Sequence, residues 1–307
     1  MKANGLFDVI IIGGSYAGLS AAMSLGRSLK KTLVIDSGQP CNAQTPHSHN
    51  FLTQDGKTPT EIAALAKQQV EQYDTVEFFN DKALHAAKTN QGFIIRTASG
   101  VTFQSKKLIL ASGIKDQMPD IPGFASCWGI SVIHCPYCHG YEYREQPTGI
   151  FANGEKAFHL ATLVSSLTKE LTVLTNGPAD FNTEQIAILK RRRITVLESP
   201  IEQIDHINGH LQQLKLKDGN LINLNALYAA IPFTQHSEIP ALLGCEVSES
   251  GHLKVDQFHK TNIPGVFACG DNSSPMRSVS NAVATGAFAG AMANMELTKE
   301  SFSRIDS

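Results

Sequence analysis

The chain has 307 residues, 42% of them apolar, which suffices for two ordinary domains with well-buried cores. Its formal net charge of −2 excludes a general attraction to nucleic acid or anionic membrane. Six cysteines are too few for a disulfide scaffold; Cys41, Cys127, Cys245 and Cys269 stand alone as expected small buried residues, and only Cys135 and Cys138 form a motif.

Lys2 followed by Val9-Ile10-Ile11-Ile12 has the outline of an export signal, but Asp8 at the head of the run and the glycine turn after it fit a buried strand better. The run Phe7 to Ile12 is apolar and β-branched, of parallel-strand type. Gly13-Gly14-Ser15-Tyr16-Ala17-Gly18 follows, then a helical spacing through Leu19, Ala22, Met23 and Leu25, then a second apolar run from Thr32 to Ile35 ending at Asp36. This order predicts a dinucleotide fold: glycines admit a pyrophosphate, the helix N-terminus faces its charge, and Asp36 reaches ribose hydroxyls. Ser15 stands where the fingerprint has its middle glycine.

Pro40 to Pro59 reads as a polar loop with His47, His49 and Asp55-Gly56. The spacing of Ile62, Leu65, Ala66 and Val70 predicts a helix over 60–72 with Thr60 as its cap. Strands are expected around Val76-Phe79, Phe93-Thr97 and Val101-Phe103, and from Lys107 into the turn Ala111-Ser112-Gly113. The Pro-rich connector 118–123 marks a domain boundary. Beyond it, a strand over 148–151, a helix over 157–167 and a strand over 171–174 make a second unit, with Ala152, Gly154 and Ala157 in the three glycine positions. Further strands are expected at 194–197, 211–216 and 227–231, and the chain crosses back near 243–250. Near the end, the strand over 263–269 runs into Gly270-Asp271, and a small-residue helix begins near Ser280. A carboxylate there can bind ribitol hydroxyls while the helix N-terminus faces a flavin's pyrimidine edge. The apolar stretch Ala282 to Leu297 is shorter than the roughly 20 residues of a membrane span, so a soluble cytoplasmic protein is expected.

The richest stretch is His134-Cys135-Pro136-Tyr137-Cys138-His139-Gly140-Tyr141-Glu142-Tyr143. Cys-x-x-Cys serves thiol exchange, a metal, or covalent haem, and the spacing alone leaves all three open. Zinc needs four ligands and there is no second cysteine pair; haem attachment goes with export. Exchange needs a thiolate, which His134 and His139 can promote as imidazolium partners or as bases. Pro136 fits a first helical position and would leave neighbouring N–H groups free to face a sulfur.

Together these motifs resemble the low-molecular-weight thioredoxin reductase family of FAD-dependent disulfide oxidoreductases, over nearly the whole chain. The resemblance implies an α/β architecture of two Rossmann-like, doubly wound, three-layer domains, the second inserted into the first. Residues 1–117 and 246–307 would form the FAD-binding domain, and 118–245 an NAD(P)-binding-like domain carrying the redox pair. It places FAD contacts on Gly13, Gly14, Ser15, Ala17, Gly18, Asp36, Asn42, His49, Ala111, Ser112, Gly113, Gly270, Asp271, Ser278 and Val279. It implies that Cys138 faces the flavin and that Cys135 attacks the external disulfide; His139 and His134 are the expected acid–base partners from their place beside the pair. It further implies a homodimer acting on a dithiol or disulfide, either a small molecule or a thioredoxin-like protein, with no nucleic acid, membrane or metal partner.

The variant Cys-Pro-Tyr-Cys-His-Gly-Tyr-Glu is closest to a subgroup that includes dithiol oxidases closing gliotoxin- and holomycin-type disulfides. Thioredoxin reductases typically carry Asp where this chain has His139. Their His-Arg-Arg motif for NADPH is replaced by Thr175-Asn176-Gly177, and the run Arg191 to Arg193 lies downstream at an expected helix end. Direct reduction by NADPH is therefore not expected. The direction stays open between a dithiol oxidase using oxygen and an NADPH-dependent reductase, with a flavin-bound redox sensor as the non-enzymatic reading.

Overall fold

The computed structural model describes residues 5–303, so Lys2 lies outside them. The chain divides into two compact units: the first takes residues up to Ala43, Pro59–Lys115 and Phe233 onward, and the second takes Gln44–Thr58 and Asp116–Pro232.

In the first unit, β1 (Leu6–Ile12) is buried from Val9 to Ile12, as its unbroken apolar run requires of a central strand. After α1 (Tyr16–Arg27), β2 (Thr32–Asp36) returns parallel to β1, with Ile10 opposite Leu33. Helix α2 (Pro59–Val70) starts one residue before the expected Thr60 because Pro59, lacking an N–H, suits a first helical position. β3 (Val76–Asn80) extends the sheet beside β2. The next strands are β4 (Ala83–Thr89), β5 (Gly92–Thr97) and β6 (Thr102–Leu110). The runs expected separately at Val101 and Lys107 are thus one strand. Its first half alternates buried and exposed beside antiparallel β5, and its second half is buried throughout beside β1. That change of period within one strand makes it read as two. β7 (Ile114–Asp116) ends this leg.

The second unit carries α3 (Phe124–Cys127), β8 (Val132–Ile133) and α4 (Pro136–His139) before its own strand–turn–helix–strand motif. That motif is β9 (Thr148–Phe151), α5 (Gly154–Val164) and β10 (Leu171–Leu174), followed by α6 (Thr183–Arg191) and β11 (Thr195–Leu197). Helix α5 begins three residues before the expected 157, because the Asn153 side chain caps it. The antiparallel strands β12 (Ile201–Ile207), β13 (His210–Leu216) and β14 (Leu221–Asn223) come next, and β15 (Ala226–Ala229) returns to the centre of the parallel sheet β11-β10-β9-β15-β8. Ile201, Ile204, Leu211 and Leu214 of the hairpin share a core with Trp128, Leu174 and Leu227.

The first unit resumes at Phe233, before the expected residue 246, with β16 (Phe233–Gln235) and α7 (Ile239–Leu243). Ile239 explains the difference: it is fully buried in the core that holds Ala83, Ala86 and Leu253. β17 (Val266–Ala268) pairs parallel with the second half of β6. Helix α8 (Val279–Phe302) then packs along α1. Ser20 Oγ donates to Val283 O at 2.7 Å and Ser24 Oγ to Ala287 O at 3.1 Å, so the two helices run parallel and open their N-termini at the same edge. No helix among the described residues is long and apolar enough to cross a membrane. The fold is an α/β protein with two parallel-sheet, Rossmann-type units.

Candidate active site

In the second unit, Cys135 and Cys138 are joined as a disulfide. Cys135 is the N-cap of α4, extended at φ −120° and ψ 113°, and Pro136 takes the first helical position. The expectation that Pro136 frees amides for a sulfur is corrected here. The N–H groups of Cys138 and His139 both turn to Cys135 O at 3.3 Å, because a helix this short closes on its cap carbonyl. Tyr137, between the cysteines, and Tyr141 one turn on are each 69% exposed, and the Arg144 guanidinium sits 4.0 Å from the Tyr141 ring centre.

The His134 ring stacks near that of Trp128 at 6.1 Å between centres, which fixes its plane beside Cys135. His139 is half-buried, and burial pushes its pKa below the ordinary histidine value; Glu142 opposes the shift and His49 adds to it. His139 is thereby the free base near neutral pH, able to accept a proton. Glu142 lies 3.5 Å from His49 Nε2. Beneath α4, Tyr228 is buried with no hydrogen-bond partner on its hydroxyl, and burial pushes its pKa up. A Cβ at Gly140 would stand 3.2 Å from that hydroxyl and 2.3 Å from Pro136 O, so only glycine lets the chain leave α4 this closely. Sequence reasoning missed Glu142 and Tyr228 as parts of this site; Glu142 is in the quoted stretch, but nothing local marks its partner His49.

In the first unit, the strand ends converge. Ala111 N donates to Ile12 O at 2.8 Å and Cys269 N to Leu110 O at 3.0 Å, which brings Gly13, Ala111-Ser112-Gly113 and Gly270-Asp271 to one carboxyl edge, as the sequence motifs require. Asp36 Oδ1 accepts from Gly14 N at 3.0 Å and fixes the turn. Ser15 is the N-cap of α1 and Ser278 that of α8; Ser278 Oγ accepts from Asn281 N, and Val279 is the first helical residue. Two helix N-termini thus open on this edge, a setting for anionic groups. Ser112 Oγ is buried there without a hydrogen-bond partner, a polar atom suited to a ligand. Gly270 leaves room for Ala17, whose Cβ lies 2.9 Å from where a Cβ on Gly270 would be. Asn42 Nδ2 donates to Tyr16 Oη at 3.3 Å. Arg277, which sequence reasoning did not single out, approaches Asp271 at 3.8 Å. His49 belongs to the second unit, with Glu142.

The second unit's own nucleotide turn is arranged differently. Asn153 Oδ1 accepts from Gly154 N at 2.8 Å and Asp180 N at 2.9 Å, while its Nδ2 donates to Pro178 O at 2.8 Å. This clasp holds the Asp180 carboxylate 3.4 Å from where a Cβ on Gly154 would be. Glu155 stands in the first turn of α5, held by Gln185 Nε2 at 2.7 Å. Two carboxylates, Asp180 and Glu155, thus stand at the turn before α5, where a dinucleotide fold has its phosphate turn. Arg191 and Arg192 end α6 as exposed residues and Arg193 follows at φ +58°, a solvated basic turn at the negative end of a helix.

Among the described residues no group of three or more His, Cys, Asp or Glu could hold a metal ion. Cys127 and Cys269 are buried as expected, and burial pushes the Cys269 thiol up to about 12, so it is inert. Cys41 is exposed, contrary to expectation, because it lies in a polar surface turn after β2.

The family model for pyridine nucleotide-disulphide oxidoreductases matches residues 7–286. The chain is 34% identical to thioredoxin reductase tcpT of Claviceps purpurea over 310 residues, covering 97% of this chain and 96% of that one. It is 32% identical to thioredoxin reductase aclD of Aspergillus oryzae, covering 92% and 94%. Among solved structures, an oxidoreductase from Agrobacterium tumefaciens superposes with a TM-score of 0.90 at 38% identity, over 98% of this chain and all of that one. The chain belongs to the pyridine nucleotide-disulphide oxidoreductase family.

Proposed function

We propose that this protein is an FAD-dependent dithiol oxidase, cycling Cys135 and Cys138 between disulfide and dithiol without direct reduction by NADPH. The observation that carries the redox half is the bonded Cys135–Cys138 pair on a short helix with a half-buried histidine base directly after it. The Asn153–Asp180 clasp supports the absence of NADPH, since a second dinucleotide would meet Asp180 and Glu155 where its phosphates belong. The first unit then serves as the FAD-binding domain and the second as an inserted domain that has kept the nucleotide fold.

The residues of the first unit fit FAD. Gly13, Gly14, Ser15, Ala17 and Gly18 form the turn for its diphosphate, and Asp36 faces its adenosine ribose. Asn42 and Ala111-Ser112-Gly113 line the edge, Asp271 with Gly270 takes the ribitol hydroxyls, and Ser278 and Val279 present the N-terminus of α8. When bound, FAD supplies a two-electron acceptor that oxygen can regenerate.

The exchange balances on this chain's own sulfurs. One substrate thiol gives its proton to His139 and its sulfur bonds Cys135 Sγ, while the Cys135–Cys138 bond breaks and Cys138 leaves with the electron pair. The second substrate thiol then gives its proton to the Cys138 thiolate and its sulfur displaces Cys135, which takes the proton held by His139, so the substrate departs as a disulfide and the pair is left as a dithiol. FAD, held by the first unit, would supply the oxidant that returns this dithiol to the disulfide. The same reading takes as substrate a small-molecule dithiol or a thioredoxin-like protein, and gives a cytoplasmic homodimer.

Anaerobic stopped-flow mixing tests the proposal. Dithiothreitol should bleach the oxidised flavin band, and NADPH at millimolar concentration should not. Rapid bleaching by NADPH would overturn the choice of electron source and favour a reductase.

A further inference from the structure

We propose that Glu142 is a positioning residue for the exchange step, the carboxylate that ties the turn after α4 to the His49 loop three residues beyond His139. This rests on the reading of Cys135 and Cys138 as the exchanging pair. Glu142 is three residues beyond His139, past the tight exit at Gly140, and its Oε1 lies 3.5 Å from His49 Nε2. His49 is not a casual neighbour. The loop that carries it is closed by Ser48 N to Lys57 O at 2.8 Å and Gly56 N to Ser48 O at 2.9 Å, and His47 Nδ1 shares a hydrogen bond with Gly56 O at 2.9 Å. On its far side His49 Nδ1 is 3.7 Å from Asp55 Oδ1, so the ring lies between two carboxylates.

The charged and titratable groups around Glu142 are few. His49 lies 3.5 Å from it, and His139, Tyr143 and Tyr228 feel its charge. Both phenols are kept protonated by burial, so neither competes as a charge; Cys127 stands behind Tyr143 and is likewise pushed up. His47 lies next to His49 at 6.4 Å between ring centres. The imidazolium formed when His139 accepts a substrate proton is thus stabilised by one carboxylate and opposed by one histidine. The two neighbours act on His139 in opposite directions, which separates this arrangement from an ion pair that only holds a loop.

The test uses the holoenzyme with dithiothreitol. The rate at which Cys135–Cys138 is reduced is read by quenching with N-ethylmaleimide and counting labelled cysteines by mass, from about pH 5 to pH 9. The rate should rise through the titration of His139, and His139→Asn should remove that limb. Glu142→Gln should move the limb down by about one pH unit and slow the plateau about tenfold, because the imidazolium loses its counter-charge. His49→Gln should move it up, because an opposing charge has gone. Glu142→Asp should restore part of the Glu142→Gln loss, which a folding defect would not. Limbs unmoved, or moved in the same direction, in Glu142→Gln and His49→Gln would overturn the inference while leaving the exchanging pair intact. Wild-type protein whose pair dithiothreitol never reduces would overturn both readings.

Discussion

Replacing Cys138 with serine should cut oxygen uptake driven by dithiothreitol by about 10³-fold or more, to the rate of free flavin. Serine keeps the shape of the residue and removes the one sulfur that both leaves in the exchange and hands the electrons on. Cys135→Ser should lose as much, because the pair acts as a unit and removing either half breaks the cycle. Neither change should lower the amount of bound flavin, since the turn, the Asp36 clamp and the Gly270-Asp271 edge all belong to the first unit. Cys41→Ser is the control: that thiol is exposed and stands outside the motif. Turnover by Cys138→Ser close to wild type would show that the dithiol does not carry the electrons.

The second large effect is structural. Gly18→Ala should cost at least about 3 kcal/mol and strip the protein of flavin, because the added Cβ would sit 1.8 Å from Gly13 O, an approach only backbone movement can relieve. Gly286 makes the same point from the other helix, as a Cβ there would lie 2.1 Å from Ala17 O. Gly18 thus sets how closely α1 follows the turn, and Gly286, with Gly290 whose Cβ would lie 2.6 Å from Ala21 O, sets how closely α8 packs on α1. With two units the unfolding need not be two-state, so the sharper readouts are the flavin-to-protein ratio and the temperature at which flavin is released. A Gly18→Ala protein that purifies with a full complement of flavin would contradict the account of the turn.

Much of this was legible in the sequence because it rests on local rules. The run Phe7 to Ile12, the glycine turn and Asp36 each occupy the place their pattern predicts, and Pro136 starts α4 as its fixed φ suggests. Other features depend on partners far along the chain. Strand β6 changes neighbours midway and so changes period. The apolar residues of β12 fall at Ile201, Ile204 and Ile207, a spacing of three that hides a strand with irregular register. The Asn153 clasp needs Asp180, and Glu142 needs His49 across 93 positions of sequence. Polar contacts of this kind leave no periodicity, so the worn glycine motif shows in the sequence but the groups around it do not.

Exchange of electrons between the Cys135–Cys138 pair and the flavin of the same protein is open to a direct count. Anaerobic reductive titration measures this directly, by counting the electrons taken up per flavin before the oxidised band is fully bleached. The account predicts that the wild-type protein takes about two electrons more than a Cys135→Ser, Cys138→Ser double variant, the capacity of one disulfide. Equal uptake by the two proteins, with the disulfide still intact by mass after the flavin is fully reduced, would contradict it.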